Sequence, residues 1–247
     1  MMHETSEHSP RAVARAAGVL YLLIIVLGLF GELVVRSSLI APGDAANTAS
    51  NILASPGLFR TGFVADSIMV LCDVALAALL FVLLRPVNRV LAIVALLFRL
   101  AQASVLALNL LNYHAAMLVL TGSARPAAFD EAQVASLASL FLDLHSHGYD
   151  LGLILFGVHC LVLGYLIAKS SFLPRTLGYL VGAAGVVYLV GSYVRFVVPT
   201  MVETVAPIYL VAIVSELSLC GWLLIKGVDR DRWMARAGRM REAGCGA

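Results

Sequence analysis

The segment DLHSHGYD, residues 143–150, sets Asp143, His145, His147, Tyr149 and Asp150 into a run that is otherwise apolar from Leu137 to Ala168, with His159 further along it. Imidazole and carboxylate groups ligate zinc and other cations, and they also carry protons through membrane helices. At ~100° per residue His147 and Asp150 fall within about 40° of Asp143, whereas His145, Tyr149 and His159 lie about 160–240° round the helix. All six side chains meet at one centre only if the helix breaks, for which Gly148 and Gly152 are the available points. For a metal, the candidate ligands are Asp143 and His145 with His114 from another run, in a spacing that matches no tight motif such as HExxH. The plainer reading of Asp143, His147 and Asp150 is a solvated acid–histidine face at a membrane border. A pair of bis-histidine haems is excluded, because no second run carries two histidines to match His145 and His159.

Other ionisable and amide groups sit in apolar runs as well. Asp66 and Asp73 are about two turns apart on one helical face. Arg99, Gln102, Asn109 and Tyr113 fall within an arc of about 80°, a polar stripe that such a helix would turn away from lipid. Glu216 stands in the last run and Glu32 near the end of the first. Acids outnumber bases in these segments, with Arg99 as the one base deep in a run. The excess has to be protonated, solvated, matched to histidine or offset by a cation. Asp66, Asp73, Arg99, Gln102, Asn109, Asp150 and Glu216 are accordingly the candidate ligand- or ion-binding set. The plainer alternative is that Arg99 pairs with Asp66 or Asp73 and the amides knit helices together.

The elements that position these groups are apolar runs long enough to cross a ~30 Å hydrocarbon layer at ~1.5 Å per residue. They run from about Ala16 to Val35, Leu58 to Leu84, Val90 to Leu120, Leu137 to Ala168, Leu177 to Val198 and Ala206 to Lys226. The expected fold is all-α, a polytopic transmembrane bundle of six spans occupying residues 16–228. A polar N-terminal segment, 1–15, precedes it and a basic tail, 229–247, follows. In the first connection Pro42-Gly43-Asp44 signals a turn, with Asp44 capping a short Ala-rich helix that ends before Pro56-Gly57. The loop from Thr121 to Ala135 carries Arg125, Pro126, Asp130 and Glu131.

Charge sets the orientation. Of 17 Lys and Arg residues, Arg11, Arg15, Arg85, Arg89, Lys169, Arg175, Lys226, Arg230, Arg232, Arg236, Arg239 and Arg241 fall on one side. Arg36, Arg60, Arg125 and Arg195 fall on the other. The positive-inside rule then places both termini in the cytoplasm. Counting back from Ala168 puts Asp150 about 27 Å and Asp143 about 37 Å from that border, so DLHSHGYD lies at an outward-facing mouth.

Composition agrees with this location. Hydrophobic residues make up 61% of the chain and charged residues 13%, about half the share of an ordinary soluble domain. Mean hydropathy is +0.93. No basic patch is interleaved with aromatics, which leaves nucleic-acid binding without support. Cys72, Cys160, Cys220 and Cys245 form no CxxC pair, so neither a zinc knuckle nor a redox motif is indicated.

The runs PGDAANTASNILASPGLFRTGFVAD, LLRPVNRVLAIVALLFRLAQA, NLLNYHAA, DLHSHGYDLGLILFGVHCLVLGYLI, SFLPRTLGYL and SELSLCGWLLIKGV resemble the bacterial membrane family catalogued as domain of unknown function 4386, over about residues 12 to 228. The resemblance implies a bacterial cytoplasmic membrane context and no particular activity or cofactor. It implies that Asp143, His145, Tyr149 and His159 occupy positions typical of the family and that His147 does not, which favours the His145/Tyr149 side of the helix. The leading functional expectation is small-ligand or ion/proton-linked binding or transport. The alternatives are an intramembrane metal-dependent lipid hydrolase, and a scaffold or partner subunit. Partners are the lipid bilayer and, through the basic tail, anionic lipid or protein.

Overall fold

The computed structural model describes residues 9–123 and 128–245, and among them it contains helices and no strand. His3, His8, Arg125 and Pro126 lie outside the described residues, as do the side chains of Arg241 and Cys245. Eight helices follow one another: α1 Pro10–Leu39, α2 Ala45–Ala54, α3 Pro56–Leu84, α4 Arg89–Leu120, α5 Glu131–Lys169, α6 Arg175–Val197, α7 Pro199–Ile225 and α8 Arg230–Cys245. Six of them, all but α2 and α8, are long and apolar enough to cross a membrane.

The starts of these helices are written in side chains. Asp44 caps α2 by accepting from the Asn47 amide at 2.9 Å, as the turn chemistry predicts. Asn88 does the same for α4 from the Leu91 amide at 3.0 Å. At α5, Asp130 accepts from the Gln133 amide at 2.8 Å while Gln133 accepts from the Asp130 amide at 3.0 Å, a reciprocal capping box. That box starts α5 at Glu131, so the expected loop to Ala135 is shorter. Asp229 caps α8 through the Arg232 amide at 3.1 Å.

Two expected boundaries are corrected, at α1 and α7, and one open point, at α5, is settled. α1 begins at Pro10 and runs past Val35 to Leu39, which makes Arg36 part of the helix and removes it from the connection. Its stretch Phe30–Arg36, just before the closing turn Ser37–Leu39, is π-helical, and the Ser37 amide bonds back to the Glu32 carbonyl. Such a turn inserts one extra residue and re-aims the side chains around it. Second, α5 does not break at Gly148 or Gly152 and stays helical throughout. Third, α7 reaches back to Pro199 through two short 3₁₀ turns, Pro199–Met201 and Ala206–Ile208, before its regular helix.

The described chain divides into two compact units. One takes the residues up to Leu22, Val74–Ala101 and those from Leu153 onward. The other takes Leu23–Asp73 and Gln102–Gly152.

In the first unit, glycines let backbones meet. A Cβ at Gly164 would lie 2.6 Å from the Gly178 carbonyl oxygen and 2.6 Å from the Gly182 nitrogen, and one at Gly178 would lie 2.6 Å from the Ala168 nitrogen. Small residues at such crossings are how membrane helices gain close van der Waals packing, since lipid supplies no hydrophobic drive between them. α8 is tied to this unit by Trp233, whose indole N–H donates to the Leu83 carbonyl at 2.9 Å.

In the second unit, Val35, Leu39, Ile52, Phe59, Tyr113, Met117 and Leu142 form an apolar core. It packs α2 against the ends of the surrounding spans.

Candidate functional site

The polar residues gather in two places, one in each unit. In the second unit the centre is Asp66 on α3, only 3% exposed. Arg36 donates from Nη1 to Asp66 Oδ2 at 2.8 Å and from Nε to Glu32 Oε2 at 2.7 Å. The π-turn delivers this guanidinium inward, and Gly31 in the same turn leaves room for it. A Cβ there would stand 2.9 Å from Arg36 Nη2 and 3.0 Å from Asp66 Oδ1. Asp66 Oδ1 itself is buried and, among the described residues, has no hydrogen-bond partner.

The same unit holds an α4–α5 clasp. Asn109 Nδ2 donates to the His145 carbonyl at 2.7 Å, and His145 Nδ1 faces the Asn109 carbonyl at 3.2 Å. A carbonyl only accepts, so Nδ1 carries the proton and the lone pair of a neutral ring lies on Nε2. Asn112 Nδ2 holds Asn109 Oδ1 at 3.0 Å. Gly148 is the residue that admits this amide: any Cβ there would overlap Asn109. Tyr113 donates to the Phe59 carbonyl at 3.1 Å, stacks on the Phe59 ring at 4.0 Å and sits 5.2 Å from the His145 ring. Gln102 is also buried here, and among the described residues its Oε1 has no hydrogen-bond partner. Both unpartnered atoms are acceptors, so what each lacks is a donor or a cation.

In the first unit Arg99 is 1% exposed. Its Nη1 is 3.2 Å from His159 Nε2, and His159 Nδ1 is 2.8 Å from the Ala95 carbonyl. By the same tautomer argument His159 is a neutral acceptor for the guanidinium. Tyr21 and Phe156 present ring faces to Arg99 at 5.7 and 5.1 Å. Phe156 packs on Tyr188, whose hydroxyl hydrogen-bonds Glu216. Arg99 lies ten residues from the start of α4 and His159 ten from the end of α5, about 15 Å in each case, half the thickness of a ~30 Å core. This cluster is a desolvated structural anchor built from charge, imidazole and π faces.

The expected residues divide as follows. Asp66, Asp73, Arg99, Gln102, Asn109, His145 and Asp150 are buried, and Glu216 is half-buried. Tyr113 is buried too, so the whole stripe Arg99, Gln102, Asn109, Tyr113 is withdrawn from the surface. Asp143, His147 and His114 are exposed. His147 Nδ1 bonds the Asp143 carbonyl at 2.8 Å within its own helix. Among the described residues no three His, Cys, Asp or Glu side chains are placed to share a metal ion, so Asp143, His145 and His114 are not brought together as ligands. Of the two acids expected to pair with Arg99, Asp66 or Asp73, Asp66 is paired with Arg36 instead. The sequence places Arg36 at the start of a loop, and its i+4 spacing from Glu32 is the one signal in it that Arg36 belongs to a helix.

These features define a multi-pass helical membrane protein with polar clusters buried among its spans. Its family is the one described as domain of unknown function (DUF4386): that family's model matches residues 16–227, and the chain belongs to it. An uncharacterized protein of Archaeoglobus fulgidus is 28% identical over 160 residues, covering 65% of this chain and 80% of the relative. No solved structure matches.

Proposed function

We propose that this protein binds a small ligand or ion with coupled proton movement, at a polar site formed by Asp66, Arg36, His145, Tyr113 and Asn109, and that it moves that species across the cytoplasmic membrane. The observation that carries the reading is the Asp66 carboxylate: one oxygen is held by Arg36 and the other is buried without a partner. An acceptor left bare in a low-dielectric interior is costly, about 1–3 kcal/mol, and a bound proton, water, ammonium or metal cation removes that cost. His145, with Nδ1 turned to the Asn109 carbonyl, leaves Nε2 as a second polar atom in the same unit.

With both termini cytoplasmic, as the Lys and Arg distribution favours, this site opens outward and lies about 15 Å along α3 from its Pro56 end. The exposed arginines of α8 offer a surface for anionic lipid. No comparable observation favours the lipid-hydrolase reading, which needs a clustered ligand set.

The test is flux. Protein in vesicles loaded with a pH-sensitive dye should acidify the lumen when a potassium diffusion potential drives protons inward, and Asp66→Asn should slow this at least about tenfold while melting like the parent, since Asn cannot carry the proton. No acidification above protein-free vesicles, or equal rates in the folded variant, overturns the proposal.

A further inference from the structure

Asp66 Oδ1 is shut off from water, and the material that shuts it off at the Pro56 end of α3 is apolar. A Cβ at Gly62, one turn from Asp66, would stand 2.7 Å from Tyr113 Oη and 2.9 Å from Val35 Cγ1. Those two side chains therefore occupy the turn of α3 between Asp66 and its Pro56 end. Both belong to the apolar core of the second unit, and the α2 member of that core is Ile52, which is fully buried. α2 reaches the spans α1, α3, α4 and α5 through that core.

The helix is held differently by its neighbours. Its polar ties run to the chain just before it. Thr48 Oγ1 accepts from the Ala41 amide at 2.9 Å and donates to the Ala41 carbonyl at 3.2 Å, and Asn51 Nδ2 donates to the Leu39 carbonyl at 3.4 Å. Among the described residues no hydrogen bond joins α2 to α4 or α5, where its contact is apolar packing alone. The joints on either side are not helical. Gly43 holds φ +77°, with nothing within 4 Å of the place of a Cβ. Ser55, between α2 and Pro56, stands at φ −133°, ψ 56°. A short helix fastened to one neighbour, packed without hydrogen bonds on others and flanked by two such joints has the build of a hinged lid.

We propose that α2 is the lid of the Asp66 site. It is closed in this structure, and withdrawal of Ile52 from the core admits water and the bound species to Asp66. The lid rests on the reading of Asp66 as a binding site and adds the step that opens it. Opening gives up the apolar contacts of one short helix and breaks no hydrogen bond to α4 or α5, so it occurs without unfolding the spans.

The experiment is thiol labelling of the full chain in nanodiscs by a charged, membrane-impermeant methanethiosulfonate, read on the labelled peptide by mass spectrometry. Val35→Cys puts a thiol of similar size beneath the lid, and Leu76→Cys puts one inside α3 in the first unit; both positions are fully buried. Position 35 should label at least about tenfold faster than position 76, because local opening is cheaper than global unfolding. Adding Ile52→Ala should speed position 35 by about tenfold more and leave position 76 unchanged, since the truncation loosens the lid alone. If that variant melts early, Ile52→Val replaces it, with a smaller rise at position 35 only. Equal labelling at the two positions, no response at position 35 to either truncation, or a rise at both positions overturns the lid. None of these arms depends on flux, so labelling as expected in a protein that moves no protons keeps the opening of α2 and removes the transport reading.

Discussion

Replacing Arg36 by Met is expected to destabilise the protein by about 3–5 kcal/mol, the range for removing one partner of a buried ion pair. The Arg36 side chain is 13% exposed and that of Asp66 5%, so water cannot substitute for the guanidinium. Without it neither Asp66 oxygen has a partner. Removing the acid instead should cost less, because in Asp66→Leu the guanidinium keeps Glu32 at 2.7 Å. Glu32 is 68% exposed, and a pair of that kind contributes about 0–1 kcal/mol. The double variant Arg36→Met/Asp66→Leu should therefore recover most of the Arg36→Met loss. Reversible unfolding in mixed micelles reads all three. Equal losses in both single variants, with no recovery in the double, would mean that the pair does not act as a unit.

Gly178→Val is expected to be at least as damaging, by about 3 kcal/mol or more, and to act by a different route. The new Cβ would meet the Ala168 nitrogen and the Gly164 carbonyl oxygen, each at 2.6 Å, and backbone atoms cannot rotate aside as a flexible side chain can. α5 and α6 have to separate, which opens the first unit over several turns. Gly182→Val is the control, because a Cβ there has nothing within 4 Å. A melting temperature that drops for position 178 and holds for position 182 is the expected pattern. Equal drops would contradict the packing account.

Much of the architecture was legible because it depends on local rules. Apolar run length located six spans, Asp44 announced the α2 cap, and the ~100° periodicity drew Arg99, Gln102, Asn109 and Tyr113 onto the face that the structure buries. The site was legible in residue type more than in pairing. Asp66, Asn109 and His145 could be picked out as costly groups in apolar runs, yet nothing in their spacing shows that Asn109 clasps His145 or that Arg36 reaches Asp66. Those contacts join residues 36 and 30 positions apart and are set by tertiary packing. Arg36 was hardest to see, because a charge at the end of an apolar run reads as the start of a loop. A π-turn, invisible to a 3.6-residue period, keeps it in the helix and turns it inward. Gly148 shows the same limit: it reads as a weak point in α5, and its use is to admit the Asn109 amide.

Density around Asp66 in a lipid-embedded structure at high resolution tests the central claim most directly. A donor or cation is expected within hydrogen-bond or coordination distance of Oδ1, about 2.3–3.2 Å, with Arg36 still on Oδ2. An Oδ1 enclosed by apolar side chains, with no such density and no path to water, would contradict the assignment of this carboxylate as the site.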